Sequence, residues 1–173
     1  EKQYAYDYLV PQKGWTEIEP DTWGELVIKG LKELFQHVPA ETVAGIGITG
    51  QMHTTVFVDE HGLSVRPAIM WNDNRTKSSL SEIKQRLESK AETVHLAKIV
   101  STGSPLANLL WVKEHEPEQY QQINKFLIAK DYVKLKLTGT YTTDYCDAST
   151  SSLYDLYADC WSEEVQELFD LPR

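Results

Sequence analysis

The sequence predicts an α/β fold, because strand-like and helix-like segments alternate along the chain without internal repeats or low-complexity linkers. Two β-branched runs, at 43–49 and 54–58, lie close together. The helix-like segment before them has apolar residues spaced three and four apart, which give it one buried face: Trp23, Leu26, Val27, Leu31, Leu34 and Val38. A chain of 173 residues with 41% hydrophobic residues can bury the core of one domain.

The N-terminal half is predicted to form four strands and two helices. The strands are the apolar or β-branched runs at 4–10, 43–49, 54–58 and 68–71. The first helix begins at the start signal Pro20-Asp21-Thr22 and ends near Val38, and the second carries Leu80, Ile83 and Leu87 on one face. The polar run 59–62 is predicted to be a turn.

The C-terminal half is predicted to be rich in helix. Helices are predicted at 109–114, 117–123 and 130–137, and Gly139 follows the last of them in the C-terminal capping position. Residues 141–145 are predicted to be extended and 152–156 to form a strand. A final helix begins at Ser162-Glu163-Glu164 and ends at Phe169.

Composition disfavours several classes of protein. A net charge of -9 without any Lys/Arg cluster argues against a nucleic-acid partner or an acidic membrane surface. Two cysteines, Cys146 and Cys160, are too few for a disulfide framework, and no cysteine or histidine cluster offers metal ligands at usable spacing. No apolar run approaches the roughly 20 residues of a membrane span, and no signal-like segment opens the chain. We therefore expect a cytoplasmic protein without structural metal.

The segment 44–53 is the most informative part of the chain. It contains a formal G-x-G-x-x-G at Gly45, Gly47 and Gly50, but this run neither follows a strand nor opens a helix, as a dinucleotide-binding turn would. The glycines are therefore predicted to lie within the strand 43–49, with three polar or polarizable side chains at its exit: Gln51, Met52 and His53. Strand exits are where open α/β sheets bind ligands.

Six short motifs carry a family resemblance. They are 14–20, 50–53, 69–76, 109–118, 129–133 and 144–148. In this order they resemble the N-terminal domain of the FGGY carbohydrate kinases, which has the ribonuclease H-like fold of the actin, hexokinase and heat-shock protein superfamily. Gly50-Gln51-Met52-His53 is similar to the motif typical of xylulokinases, and 69–76 resembles their tryptophan, asparagine, aspartate and arginine signature.

The resemblance implies transfer of the ATP γ-phosphoryl group to a hydroxyl of an open-chain sugar, with D-xylulose as the expected substrate and xylulose 5-phosphate as the product. The complete enzyme would use ATP and Mg²⁺. The family's phosphate-binding hairpin would lie before Glu1, and its catalytic aspartate and nucleotide-binding domain would lie after Arg173. Residues 1–173 are therefore interpreted as an N-terminal sugar-binding domain that binds no cofactor and transfers no phosphate by itself.

The resemblance also implies which residues face the sugar: Gln51, Met52, His53, Trp71, Asn72 and Asp147. Each has a structural alternative. His53 could be a structural histidine, Met52 could fill the core, and Trp71 could be an ordinary residue at the end of a buried strand. Asp147 could cap a helix or a turn.

Asp73 and Arg75 are predicted to support the pocket wall rather than to touch the ligand. Arg75 offers five donors and is expected to pair with a nearby carboxylate, either Asp73 or Asp147. No catalytic residue and no metal ligand is predicted within the chain.

Two departures from the family pattern affect substrate choice. Thr54 stands where xylulokinases usually have glycine, and it narrows the space beside His53 and adds a hydroxyl. Relatives also carry a longer pocket loop after Gly103. Because Ser104-Pro105 gives little reach, we expect the chain to be interrupted between Thr102 and Leu106.

Three functions therefore remain open. The first is a xylulokinase. The second is a kinase for gluconate or another acyclic sugar, whose motif would more often have alanine in place of Asn72. The third is a module that binds a sugar or a protein partner without turnover. A homodimer is a further option.

Overall fold

Helices cover both faces of a small central sheet in the computed structural model, which describes residues 1–172. The strands are β1 (Glu17–Ile18), β2 (Thr55–Val58), β3 (Ala68–Ile69), β4 (Lys125–Ile128), β5 (Tyr154–Asp155) and β6 (Cys160–Trp161). The helices are α1 (Asp21–Leu34), α2 (Leu80–Glu88), α3 (Pro105–His115), α4 (Pro117–Tyr120), α5 (Ala129–Thr138), α6 (Tyr145–Thr150) and α7 (Glu163–Phe169). Short 3₁₀ helices occupy Ala40–Thr42 and Leu96–Lys98.

The central sheet has the order β1-β3-β2-β4, and each neighbouring pair is antiparallel. Thr55, the first residue of β2, lies opposite both Ile69 and Ile128, the last residues of β3 and β4. One edge of the sheet therefore gathers the start of β2 and the ends of its two neighbours. β5 and β6 form a separate hairpin.

The core lies on both sides of β2, because alternate side chains of a strand point to opposite faces. Val56 and Val58 pack in one cluster with Trp23 of α1 and Tyr132 of α5. Phe57 points the other way and packs in a second cluster that includes Trp111 and Val112 of α3. A third cluster joins residues of α2, α3 and α7. The predicted α/β class is confirmed.

The helix predictions are largely confirmed, and the caps explain their ends. Gly139 adopts a φ of 70° and donates its N–H to the Leu135 carbonyl at 2.8 Å, which ends α5. The Ser162 hydroxyl accepts the Val165 N–H at 3.2 Å and begins α7. α1 ends at Leu34, earlier than predicted, and Val38 donates only a turn-like bond to the Leu34 carbonyl.

Two strand predictions are wrong. Residues 43–49 form no strand, although their composition is β-branched, and Ile46 is 54% exposed. A strand needs hydrogen-bonding partners, and no described segment pairs with this one. Within 4–10 only Leu9 pairs, in an isolated bridge to Glu17. Conversely, β4 was not predicted and is a full member of the sheet.

The prediction of an interruption between Thr102 and Leu106 is also wrong. The Ser104 N–H donates to the Ser101 carbonyl at 3.1 Å, and Gly103 adopts a φ of 84°. The next helix, α3, begins at once with Pro105 in its first turn. The connection is therefore a tight turn, which a glycine at the left-handed position makes possible.

Other features of residues 1–172 are consistent with this small helical and stranded domain. No helix among them is both long and apolar enough to cross a membrane. Cys146 and Cys160 are exposed and are not joined in a disulfide.

Candidate functional site

The candidate site lies at the sheet edge where β2 begins and β3 and β4 end. Residues 50–54 cross this edge before they enter β2, so Gln51, Met52 and His53 lie at a strand entry and not at the predicted strand exit. Gly50 packs directly on Lys130 at the start of α5. A Cβ added at Gly50 would lie 3.2 Å from the Lys130 backbone nitrogen, so a side chain would push the two segments apart.

His53 occupies a strained position at the centre of this edge. Its φ of 63° lies in the left-handed region, which residues other than glycine rarely adopt. Residues held in this conformation cluster at functional sites. The Thr55 hydroxyl donates to the His53 carbonyl at 2.8 Å and holds this conformation. The His53 Nδ1 atom is buried and has no hydrogen-bond partner among residues 1–172.

The charge state of His53 follows from its surroundings. Burial lowers the pKa of the imidazole below its ordinary value, and the negative charge of Asp147 opposes this change only in part. His53 is therefore neutral at neutral pH, and a neutral imidazole has one donor and one acceptor nitrogen. Such a side chain can both donate to and accept from hydroxyl groups.

Gln51 and Met52 flank His53 with one polar and one apolar side chain. The Gln51 amide donates to the Tyr6 hydroxyl at 3.3 Å, and its carbonyl oxygen accepts from the Thr54 hydroxyl at 3.1 Å. Met52 is 53% exposed and belongs to none of the core clusters. The core-filling alternative for Met52 is therefore wrong.

Trp71 and Asn72 form the neighbouring wall. Trp71 follows the buried end of β3 but is itself 56% exposed, so it is not an ordinary core residue. The carbonyl of Trp71 is covered by the turn at Gly103, where an added Cβ would lie 2.9 Å from the Trp71 oxygen. Asn72 is exposed beside it. The tight turn therefore helps to fix the strand end that presents this wall.

A buried group of ion pairs lies behind that wall, and we call it the arginine cluster: Glu17, Arg66, Asp73, Arg75 and Glu116. Arg75 binds Asp73 with two side-chain bonds of 2.8 and 3.0 Å. Glu17 accepts from Arg66 at 2.5 Å and lies 2.7 Å from Arg75. Of the two carboxylates considered for Arg75, the structure pairs it with Asp73.

Two tryptophans complete the surroundings of Arg75. The guanidinium lies 4.1 Å from the ring centroid of Trp15 and 4.7 Å from that of Trp111. The aromatic faces favour the cation and shield it from water. Asp73 also accepts the Thr16 backbone N–H at 2.6 Å. This hydrogen bond fixes the loop after β3 to the residue that directly precedes β1. The arginine cluster thus holds the base of the Trp71 wall.

A second ionic group, the lysine cluster, comprises Lys130, Asp131, Asp144 and Asp147. The Lys130 ammonium lies 2.7 to 2.9 Å from all three carboxylates. Burial by itself lowers the pKa of Lys130, but hydrogen bonds to Asp131, Asp147 and Asp144 outweigh it and raise the pKa well above its ordinary value. Lys130 therefore stays charged and holds Asp147 close to His53.

The helix cap beside this cluster is Asp144, not Asp147. The Asp144 side chain accepts the Asp147 N–H at 3.0 Å and begins α6. This bond is the main cause of a lowered pKa of Asp144, and Lys130 adds to it. Asp147 is buried and is free of the capping role that the sequence left open for it.

Sequence reasoning assigned no role to Lys130 or Tyr6, and both lie at the site. Lys130 stands in a recognised motif at the junction of β4 and α5, and that position was its only signal in the sequence. Tyr6 falls in a segment mispredicted as a strand, so nothing pointed to its contact with Gln51. Both residues are brought to the site by contacts between distant parts of the chain.

Asp147 also lines a separate cavity of about 550 Å³. Its walls include Asp131, Phe126, Tyr141 and Trp161, and they do not include Gln51, Met52 or His53. The candidate site and this cavity therefore share Asp147 and differ in their remaining walls.

The fold is that of an N-terminal domain of a sugar kinase of the actin and hexokinase type. The chain belongs to the FGGY family of carbohydrate kinases, whose N-terminal domain matches residues 1–173. It is 35% identical over 161 residues to a xylulose kinase of Staphylococcus xylosus, covering 93% of this chain and 33% of that protein. A xylulose kinase of Escherichia coli is 32% identical over 163 residues, with 94% and 33% covered.

A solved structure gives the same result. The crystal structure of a xyloylose kinase from Brucella ovis superposes with a TM-score of 0.83 at 30% identity, covering 95% of this chain and 34% of that one. A gluconate kinase from Lactobacillus acidophilus has a TM-score of 0.84 at 22% identity, which shows the shared fold alone. The chain spans about a third of the length of these relatives.

Proposed function

We propose that this chain supplies the sugar-binding wall of an ATP-dependent carbohydrate kinase that phosphorylates D-xylulose to xylulose 5-phosphate. Its membership of the FGGY family and its similarity to several xylulose kinases support a sugar kinase. The residues proposed to contact the sugar are Gln51, Met52, His53, Trp71, Asn72 and Asp147. Asp73 and Arg75 are proposed to support them through the arginine cluster.

The observation that carries this proposal is the unpartnered nitrogen of His53. A buried polar atom without a partner is costly, and a hydroxyl of a bound ligand would supply the missing hydrogen bond. Met52 and Trp71 offer exposed apolar surface beside it, and Asp147 offers a carboxylate. An open-chain sugar presents both hydroxyls and C–H faces, which such a combination can bind.

ATP and Mg²⁺ are proposed to act in the complete enzyme through residues outside this chain. Among residues 1–172, no group of three or more His, Cys, Asp or Glu side chains is placed to hold a metal ion. The three aspartates nearest the site surround the Lys130 ammonium, which already forms an ion pair with each of them. These residues do not fit a magnesium-nucleotide site, so we derive no phosphoryl-transfer step from them.

A coupled ADP-release assay tests the proposal. The full-length protein is expected to phosphorylate D-xylulose, whereas the purified 173-residue chain should show no turnover above contaminant level, because it lacks a phosphate clamp and a base. Turnover by the chain alone would contradict the division of roles. Sugar binding by the full-length protein without turnover would favour a module that only binds.

A second candidate, a kinase for gluconate or another acyclic substrate, is favoured by the tight turn at 101–104. The short turn leaves less chain to enclose the sugar. The same assay with D-xylulose, gluconate and glycerol separates the candidates. A kcat/KM at least about tenfold higher for gluconate than for D-xylulose would replace the first proposal with the second.

A further inference from the structure

Thr54 is fully buried between two parts of the candidate pocket, the segment 51–53 and the wall formed by Trp71 and Asn72. Its exposed fraction is 0%, and it stands between His53 and the first residue of β2. The side chain of Gln51 lies on one side of Thr54, and Trp71, which follows β3, lies on the other. No function has yet been assigned to its side chain.

The Thr54 hydroxyl makes one hydrogen bond to each wall. It accepts the Trp71 backbone N–H at 3.1 Å and donates to the Gln51 side-chain oxygen at 3.1 Å. A hydroxyl has a single proton to donate, so this proton is committed to Gln51. The Thr54 carbonyl also accepts the Ala129 N–H at 3.2 Å, which ties the residue to the junction of β4 and α5.

We propose that Thr54 is a positioning residue that fixes the Gln51 carboxamide relative to the Trp71 strand end. This inference rests on the proposed function, because it concerns how the same sugar site is held. Thr54 does not face the ligand, since it is buried. It acts through Gln51 and Trp71, whose separation and orientation its hydroxyl sets.

The neighbouring Thr55 shows that the two hydroxyls have different tasks. Thr55 donates to the His53 carbonyl at 2.8 Å and accepts from Asn108 at 2.9 Å. It therefore holds the left-handed turn at His53, whereas Thr54 joins the flanking side chains. The branched Cβ of threonine restricts the side-chain rotamer, so the hydroxyl of Thr54 is held in one direction.

Steady-state kinetics of full-length Thr54→Val and Thr54→Ser variants test this role. Valine keeps the shape and removes the hydroxyl, so the KM for D-xylulose should rise roughly 5- to 20-fold, with kcat and the KM for ATP changed less than about twofold. Serine keeps the hydroxyl and should restore the sugar KM to within about threefold of the wild-type value. Thr54→Ala serves if the valine variant does not fold.

Thr93→Val is the matched control. Thr93 is equally buried, and its hydroxyl donates to the Leu87 carbonyl at 2.6 Å in the helical part of the domain. This variant should lower the melting temperature about as much as Thr54→Val without changing the sugar KM. A general loss of stability would therefore be distinguished from a loss of positioning.

The kinetic results distinguish a failure of the positioning role of Thr54 from a failure of the kinase proposal. An unchanged sugar KM in Thr54→Val, or an equal rise in Thr93→Val, would overturn the role of Thr54. A wild-type protein without turnover would overturn the kinase proposal, and the Kd for D-xylulose from calorimetry would then replace KM in the same comparison. If the wild-type protein binds no D-xylulose, both proposals fail.

Discussion

The candidate pocket and the arginine cluster both include residues that follow β3, and they differ in how their polar groups are paired. In the arginine cluster, Asp73, Arg75 and Glu17 are buried and joined by short ion pairs. In the pocket, His53 has a buried nitrogen without a partner, and Trp71 presents exposed aromatic surface.

The difference follows from the expected roles of the two groups: the arginine cluster supports the fold, and the pocket is proposed to bind a ligand. A buried charge without a counter-charge is strongly destabilising, so the cluster pairs its charges within the protein, although one guanidinium nitrogen of Arg75 has no hydrogen-bond partner among residues 1–172. A binding site needs hydrogen-bonding capacity that the protein itself does not consume. The cluster is therefore expected to control stability, and the pocket is expected to control ligand binding. Four variants or conditions test this division.

The largest effect is expected for Arg75→Ala. It leaves Asp73 buried without its cation, so the free energy of unfolding should fall by about 3 to 5 kcal/mol in chemical denaturation. Lys136→Ala is the control, because it removes a more exposed pair with Asp21 and should cost less than about 1 kcal/mol. Equal losses in the two variants would contradict a special structural role of the cluster.

A smaller loss is expected for Lys130→Met. The substitution keeps the aliphatic stem but leaves the buried Asp147 without its ammonium and Asp131 with only Lys134, at 3.4 Å, at a cost of about 2 to 3 kcal/mol in unfolding free energy. A loss below about 1 kcal/mol would argue that these ion pairs contribute no more than exposed ones do.

In the pocket, His53→Ala should affect function more than stability. If His53 bonds a sugar hydroxyl, the loss should be roughly 1 to 3 kcal/mol in kcat/KM of the full-length enzyme. The exposed His37 is the control, and His37→Ala should leave kcat/KM within about twofold. Normal kinetics in His53→Ala with a normal melting curve would assign His53 a structural role only.

The smallest effect is a pH dependence that His53 alone should cause. Burial lowers its pKa in the folded state, so the unfolded chain binds more protons as the pH falls below the ordinary value of about 6.5. The wild-type protein should therefore lose stability between pH 7.5 and 5.5 faster than His53→Gln does. Parallel stability curves for the two proteins would contradict the burial of the imidazole.

The predictability of each element depended on whether its signal was local. α2 and α7 were predicted from apolar spacing and from Ser162, because helical hydrogen bonds close within a few residues. Residues 43–49 were mispredicted because a strand is completed by a distant segment. β4 was missed because only one of its four residues is β-branched, whereas three of the four residues of β2 are.

The site was predicted only in part, for a related reason. Motifs pointed to Gln51, Met52, His53 and Trp71, and the structure places the first three beside the strand end that carries Trp71. The sequence left open whether Arg75 pairs with Asp73 or Asp147, because both are compatible with its chemistry. It gave Lys130 no role, since three carboxylates from two segments meet it only after folding.

Residue types and spacings alone sufficed for the α/β class, most helices, the turn at 59–62 and the resemblance to FGGY carbohydrate kinases, because these depend on neighbours within a few residues or on motifs in order. Folding decided which strands pair, which carboxylate meets Arg75 and how Thr54 joins the two pocket walls. Strand pairing joins Thr55 to Ile128, and Thr54 meets Trp71 from 17 positions away. Arg75 and Asp73 are close in sequence, but whether Asp147 competes for Arg75 depends on where folding places it. A sequence pattern does not encode these outcomes, because they follow from how the whole chain packs.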